Sequence, residues 1–274
     1  MDSGRDVQLI IAQMDGRSFK IAVPIKDKLI KTMIDNQIDI LIIDPFVKTH
    51  RIAENDNALM DAIVTIFADV AEFANCAVEL VQHARKTGGA EATIEDGRGA
   101  SAIIAATRMG RVANRMTKGD GEMIDIPEDQ CRFYVRIDMP RSSMAPPEKA
   151  RWIKLLDVGL GNFGPDPSDD EDHVQVAAPW KWPDPLANVN VANLREVQRR
   201  TNEAPRRKDP RSPEWIGYLI LEVLVLDREK KADRAKAKAI FETWLTNHMF
   251  KIVIKPDKRR EPREFVEIDQ RASD

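Results

Sequence analysis

The run IDILIIDPF at residues 38–46 constrains this 274-residue chain more than any other stretch. A continuous apolar run that ends in an acid is typical of a central parallel strand buried on both faces. Residues 7–14 and 19–23 read as short strands around the turn Asp15-Gly16. Residues 27–36 place Leu29, Ile30, Met33 and Ile34 at helical spacing. Residues 57–75 form a long amphipathic pattern, with Leu59, Ile63, Ile66, Phe67, Val70 and Phe73 along one stripe. A second buried strand is expected over 76–83, a loop over 84–97, a helix over 98–108 and a strand over 110–116. Alternating strands and helices of this kind define an α/β layered sheet.

Two further strands are expected over 132–138 and 152–159, then a Pro/Asp-rich loop over 163–172. A Pro/Trp stretch over 179–188 marks a linker, so the division reads 1–180, linker 181–188, and 189–274. The last segment reads as a helix over 191–201, a basic loop, and a helix from an N-cap at Ser212 to Leu226. A third helix over 232–248 follows, then a strand over 250–255, a turn, and a return strand over 264–268. Three helices and a basic hairpin suggest a winged-helix-like α+β module, a variant of the DNA-binding helix-turn-helix.

Charge is unevenly placed. Residues 189–274 carry 20 Lys/Arg against 15 Asp/Glu, while the chain as a whole has a net charge of −3. A basic tail beside an acidic body fits a polyanion partner, and it equally fits a solvated, mixed-charge surface. No run approaches the roughly 20 apolar residues of a membrane span. The N-terminal residues have no pattern of a secretory signal. Cys76 and Cys131 lie far apart with no metal-ligand spacing. A cytoplasmic protein that does not meet a membrane is the expectation.

Asp44 is the first candidate for chemistry. An acid at the C-terminal end of a central strand points into the crevice where α/β sheets bind ligands, and it can help hold Mg²⁺ against nucleotide phosphates. The plain alternative is an Asp that caps a loop or the next helix. The wider context is DPFVKTHRIAENDNALMDAI (44–63), with Asp44, Pro45, His50, Glu54, Asn55 and Asn57; then VQHARKTGG (81–89), RGASAIIAATRMGRVANRMT (98–117) and CRFYVRIDMPRSSMAPPEKARW (131–152).

Through these four stretches the chain resembles the RecA-like P-loop ATPases of the RepA-type hexameric replicative helicases, over residues 5–157. The resemblance implies a partial RecA-like, mostly parallel sheet flanked by helices, ATP with Mg²⁺, a homo-oligomeric ring, and plasmid or phage DNA replication. It implies that Asp44 contacts Mg²⁺ and that His83, with Gln82 beside it, senses the γ-phosphate. It places Arg108 as an arginine finger acting in a neighbouring subunit, and Arg141 where the family carries a Lys facing the same nucleotide. Arg98 and Arg111 lie in the third stretch, and a surface salt bridge accounts for Arg111 as well. The family usually has two histidines where this chain has Gln82-His83, and Arg141-Ser142-Ser143 replaces a Lys-Ala-Asn-like tripeptide.

One motif is missing. A P-loop needs Gly-x-x-x-x-Gly-Lys-Ser/Thr so that backbone amides cradle the phosphates and Lys reaches the terminal ones. None of the 13 glycines is followed by Lys. The expectation is an incomplete copy of such a helicase, inactive in ATP hydrolysis by itself. Two alternatives stand beside it: a non-enzymatic DNA-binding or adaptor protein, and a non-functional remnant. Loss of central strands would leave the apolar strand at 38–44 exposed unless another chain covers it. In the tail, Arg234, Lys236 and Lys238 fall on the outer side of the third helix, opposite Ile240, Phe241, Trp244 and Leu245. Lys255, Lys258, Arg259, Arg260 and Arg263 crowd the hairpin turn. Such a turn would meet phosphates with salt-dependent, largely sequence-independent affinity.

Overall fold

The computed structural model describes residues 9–15, 18–54, 56–85, 88, 90–97, 100–143, 146, 148–164 and 170–272. Strands β1 (Ala12–Asp15) and β2 (Ser18–Ile21) form an antiparallel hairpin. Helix α1 (Val23–Asp35) starts four residues before the apolar spacing announces it, with Pro24 in the first turn, where an absent N–H goes unmissed. Strand β3 (Ile40–Ile43) leads to β4 (His50–Arg51) and helix α2 (Asn57–Phe73). Strand β5 (Ala77–Leu80), helix α3 (Ala100–Ala106) and strand β6 (Met109–Arg115) follow. Two short helices, α4 (Lys118–Met123) and α5 (Glu128–Cys131), precede strands β7 (Tyr134–Ser142), β8 (Arg151–Gly159) and β9 (His173–Trp180). The chain then forms helix α6 (Val191–Glu203), strand β10 (Arg206–Arg207), and helices α7 (Ile216–Val223) and α8 (Lys231–Thr246). It closes with strands β11 (Phe250–Pro256) and β12 (Pro262–Ile268).

These elements form two compact units. The first comprises Met1–Asn114 and Ile137–Arg151, the second Arg115–Arg136 and Trp152–Asp274. In the first unit β3 and β5 run parallel, with Ile40 opposite Ala77 and Ile43 opposite Leu80. β1 also pairs parallel with β4. Helix α2 begins where the Asp56 carboxylate accepts hydrogen bonds from the Ala58 and Leu59 amides, both at 3.1 Å. Its stripe of Met60, Ile63, Phe67 and Val70 is fully buried, and it packs with Ile43, Leu41, Val78 and Leu80. That covers one face of β3. Ile40 and Ile42, on the other face, are 59% and 58% exposed. The sequence expectation of a strand buried on both faces therefore does not hold within this chain. Apolar composition sets the demand for cover, but only a second layer supplies it.

In the second unit, α6, α7 and α8 enclose Val197, Ile216, Leu219, Ile220 and Ile240, all fully buried. β10, β12 and β11 lie side by side in that order and antiparallel. Ile240, Phe241 and Trp244 of α8 face this core as the sequence indicates, with Leu245 partly buried against it. Ser212 does not cap the second helix. Its hydroxyl accepts from the Glu214 amide in a turn, and α7 begins only at Ile216. β9 was not expected from the sequence. It pairs antiparallel with β8 as an edge strand, where Pro179 is tolerated. The architecture is a mixed α/β arrangement of several sheets and helices, with parallel pairing at β3–β5 and β1–β4.

One buried polar side chain ties the end of the tail to this core. Gln198 on α6 is 5% exposed. Its amide nitrogen donates to the Met249 and Gln270 carbonyls at 3.1 and 2.8 Å, and its oxygen accepts from the Ala272 amide at 3.1 Å. Replacing it removes three part-buried hydrogen bonds at once; the Met249 carbonyl keeps the Asp269 amide at 3.2 Å, while the Gln270 carbonyl and the Ala272 amide each lose the partner Gln198 supplies. Gln198→Leu is expected to lower unfolding free energy by about 2–3 kcal/mol, read as a drop in urea midpoint at unchanged slope. A midpoint within error of wild type would show that those backbone groups find other partners.

Candidate functional site

Asp44 follows β3 directly and is exposed. Its peptide bond to Pro45 is cis. The Val81 amide donates to the Ile43 carbonyl at 2.9 Å, and the Phe46 amide to the Val81 carbonyl at 2.8 Å. Asp44 is therefore level with Val81, and Gln82 and His83 follow on the neighbouring strand. The structure thus brings Asp44, Gln82 and His83 to the same C-terminal end of two adjacent parallel strands. Gln82 is half-buried and His83 exposed.

The arginines divide into two roles. The Arg108 carbonyl accepts from the Ser143 amide at 3.0 Å and from its hydroxyl at 3.1 Å, so β6 and β7 meet there. Arg141 lies on β7 beside Gly110, whose missing Cβ would come within 3.8 Å of the Arg141 Cβ. Arg108 and Arg141 therefore occupy one end of the same ribbon, with Arg108 exposed and Arg141 half-buried. Arg111 forms a 2.8 Å ion pair with Glu79 on β5, the structural role weighed for it from sequence. Asn55 and Arg98 lie outside the described residues.

The polar loop before α2 does architectural work. Asp56, not singled out from sequence, caps the helix. Its signal was available, since an Asp immediately before an amphipathic run is a standard helix start. Asn57 accepts a 3.1 Å hydrogen bond from the Ser101 hydroxyl and ties α2 to α3.

His50 is the unusual member. It is 6% exposed on β4, with its ring edge-on to Phe46 at 5.2 Å. Among the described residues neither ring nitrogen has a hydrogen-bond partner. Burial holds its pKa below the ordinary 6.5, partly offset by the Glu54 carboxylate. A histidine held neutral in the folded state takes up its proton on unfolding, so stability is lost as pH falls through about 6.5 and levels off once the folded form is protonated too. His50→Phe supplies a ring of similar outline without the two unpaired nitrogens. It is expected to match or exceed wild-type stability at pH 7 and to flatten the loss between pH 7 and 5, followed by chemical denaturation at each pH. A large destabilisation at pH 7 would reveal a polar partner for the ring.

The donor set does not by itself fit a magnesium nucleotide. Among the described residues no three His, Cys, Asp or Glu side chains cluster as metal ligands. Asp44 offers one carboxylate where Mg²⁺ demands six oxygens in near-octahedral array, most of them from phosphates and water. The Lys and backbone cradle that hold such phosphates have no counterpart in this sequence.

An acid and polar residues at the C-terminal ends of neighbouring parallel strands, under a helix that covers one face, are features of nucleotide-binding α/β proteins. Residues 3–89 match a family model described as an AAA domain. The match supports kinship of this segment with AAA-like P-loop ATPases, and it contains β3, β5, Asp44, Gln82 and His83.

No helix among the described residues is long and apolar enough to cross a membrane. In the tail, Arg234 and Lys238 are exposed on α8 and Lys236 is half-buried. Lys258, Arg259 and Arg260 stand exposed at the turn between β11 and β12. That turn is organised by Asp257, whose carboxylate accepts from the Arg259 amide at 2.8 Å and the Glu261 amide at 3.1 Å.

Proposed function

We propose that this chain is a RepA-like helicase-derived protein of plasmid or phage DNA replication. On this reading it carries the acid- and sensor-bearing part of a RecA-like nucleotide site, does not hydrolyse ATP alone, and contacts DNA through residues 189–274. The observation that carries the reading is the parallel β3–β5 pair inside the AAA-matching segment, with Asp44 and Gln82 at adjacent strand ends. Within this reading Asp44 would face Mg²⁺, Gln82 and His83 the terminal phosphate, and Arg108 and Arg141 a nucleotide shared between copies in a ring. Hydrolysis would need a phosphate cradle that these 274 residues do not encode.

The tail supports the second half of the reading. Its element order, helix–strand–helix–helix–strand–strand, with β12 between β10 and β11, supports reading it as a winged helix. Lys258, Arg259 and Arg260 sit at the tip of the wing. A purely DNA-binding adaptor differs from this reading only in what the first unit does, so two measurements separate them. The full chain is expected to show no Mg-ATP turnover above buffer, and to bind duplex DNA at low salt with a steep salt dependence. ATP turnover abolished by Asp44→Asn would overturn the inactive reading. Binding of a fluorescent ATP analogue that is weakened by Asp44→Asn would favour the ATPase-derived site over the adaptor. The triple variant K258A/R259A/R260A is expected to weaken duplex binding by about tenfold or more and to reduce the salt slope by roughly 2–3.

A further inference from the structure

The N-terminal end of α8 is already occupied from within its own unit. Lys231, the first residue of α8, pairs with Glu122 of α4. Lys230, just before the helix, pairs with Asp125 at 2.5 Å. Each carboxylate lies more than a hundred residues earlier in the chain than the lysine it meets. Ala232, 8% exposed, is the small residue over which the two elements approach. Between them lies a cavity of about 470 Å³, lined by Lys118, Glu122, Asp125, Ile126, Lys230 and Lys231 among others. Charged tips thus meet at the mouth of a gap that Ile126, Pro127 and Ala232 also line.

The acidic side of this contact is rigid. Thr117 and Asp120 close a capping box at the start of α4: the Thr117 hydroxyl accepts from the Asp120 amide at 3.1 Å and donates to its carboxylate at 2.7 Å. At Gly121 an added Cβ would lie 2.5 Å from the Cys131 sulfur and 2.8 Å from the Ile126 carbonyl, so the turn is tightly packed. Asp125 has φ 63, a left-handed conformation that favours Gly or Asn over most side chains. A carboxylate stands there, and it is the one that reaches Lys230.

We propose that the α4–α5 segment is a built-in acidic clamp that competes with DNA phosphates for Lys230 and Lys231, so that the tail binds DNA fully only after the clamp lets go. This rests on the reading of the tail as the DNA-binding module. Both lysines are exposed, with side-chain exposures of 42% for Lys230 and 59% for Lys231, so each pair is individually weak and screened by salt. A phosphate backbone, with its dense array of charge, can displace two such carboxylates.

The test is fluorescence anisotropy of the full chain with a labelled duplex of about 20 base pairs at low salt. E122Q/D125N keeps the side-chain outlines, and Asn accepts the left-handed position. It is expected to bind about 3- to 10-fold tighter than wild type. K230A/K231A is expected to change wild-type affinity less than about twofold, yet to weaken the E122Q/D125N background by about tenfold. E72Q/E95Q removes two negative charges from the other unit and controls for net charge; it should shift affinity less than about twofold. Thermal melts establish that each variant is folded. Equal effects of K230A/K231A in both backgrounds, or equal tightening by E72Q/E95Q, would overturn the clamp while leaving DNA binding intact. Absence of duplex binding by wild type and every variant would instead remove the DNA-binding reading, and the clamp with it.

Discussion

The packing of α2 on a single face of β3 and β5 is the constraint from which the first unit follows. Met60, Ile63 and Phe67 are fully buried in a cluster with Ile43, Leu41 and Val78. Burial of several such side chains contributes on the order of 1.5–3 kcal/mol each, far more than any ion pair on this surface. It is this layer that holds β3 and β5 side by side and brings Asp44 and Gln82 to one edge. The same layer leaves Ile40 and Ile42 in solvent. A sheet face with two exposed isoleucines on adjacent alternate positions is the outcome expected when a layered α/β sheet has cover on one side only.

Element order was largely legible because the apolar patterns are long. The α2 stripe, the α8 face of Ile240, Phe241 and Trp244, and the alternating β11 all appear in the structure close to where their periodicity places them. Failures came where the signal was short or borrowed. β9 is exposed over most of its length and carries Pro179, so it offers no buried alternation to read. α4 and α5 are single-turn helices defined by a capping box and a proline, not by periodicity. Ser212 looked like a cap because its residue type fits, but its hydroxyl serves a turn three residues earlier than α7. Gln198 has no sequence signature at all: its role depends on three backbone groups supplied by residues 249, 270 and 272.

The candidate site was legible at the level of segments rather than of side chains. Parallel pairing of β3 with β5 explains why Asp44 and Gln82, 38 positions apart, end side by side. The polar loop before α2 helps carry the family resemblance, yet Asp56 there spends its carboxylate on two helix amides and Asn57 its amide oxygen on Ser101. Residue type cannot separate those uses, because a cap and a ligand want the same oxygen. His50 inverts the problem. A histidine in a polar loop suggests chemistry, while its ring lies buried against Phe46 with neither nitrogen hydrogen-bonded among the described residues.

Net charge draws attention to the tail but is a poor measure of the field it presents. The excess of Lys and Arg over 189–274 is spread across cations that are already engaged: Arg199 with Glu196 and Glu203, Arg200 with Glu222, Lys255 with Glu267, Arg263 with Glu261. Lys238 has Glu242 at 3.8 Å on the next turn. The Asp125 carboxylate holds Lys230 above the usual lysine range, and the Lys231 ammonium holds Glu122 below the usual carboxylate range. Among the described residues, Lys258, Arg259 and Arg260 have no carboxylate within ion-pair distance. Beyond a Debye length of about 8–10 Å a matched pair presents little field, whereas three adjacent unmatched cations on a tight turn add. On the proposed reading of this module as a DNA-binding unit, its attraction for phosphates is set by how many of its cations are left unmatched and by where they stand: Lys258, Arg259 and Arg260 at the β11–β12 turn come first, and Lys230 and Lys231, paired with Asp125 and Glu122, stand behind them.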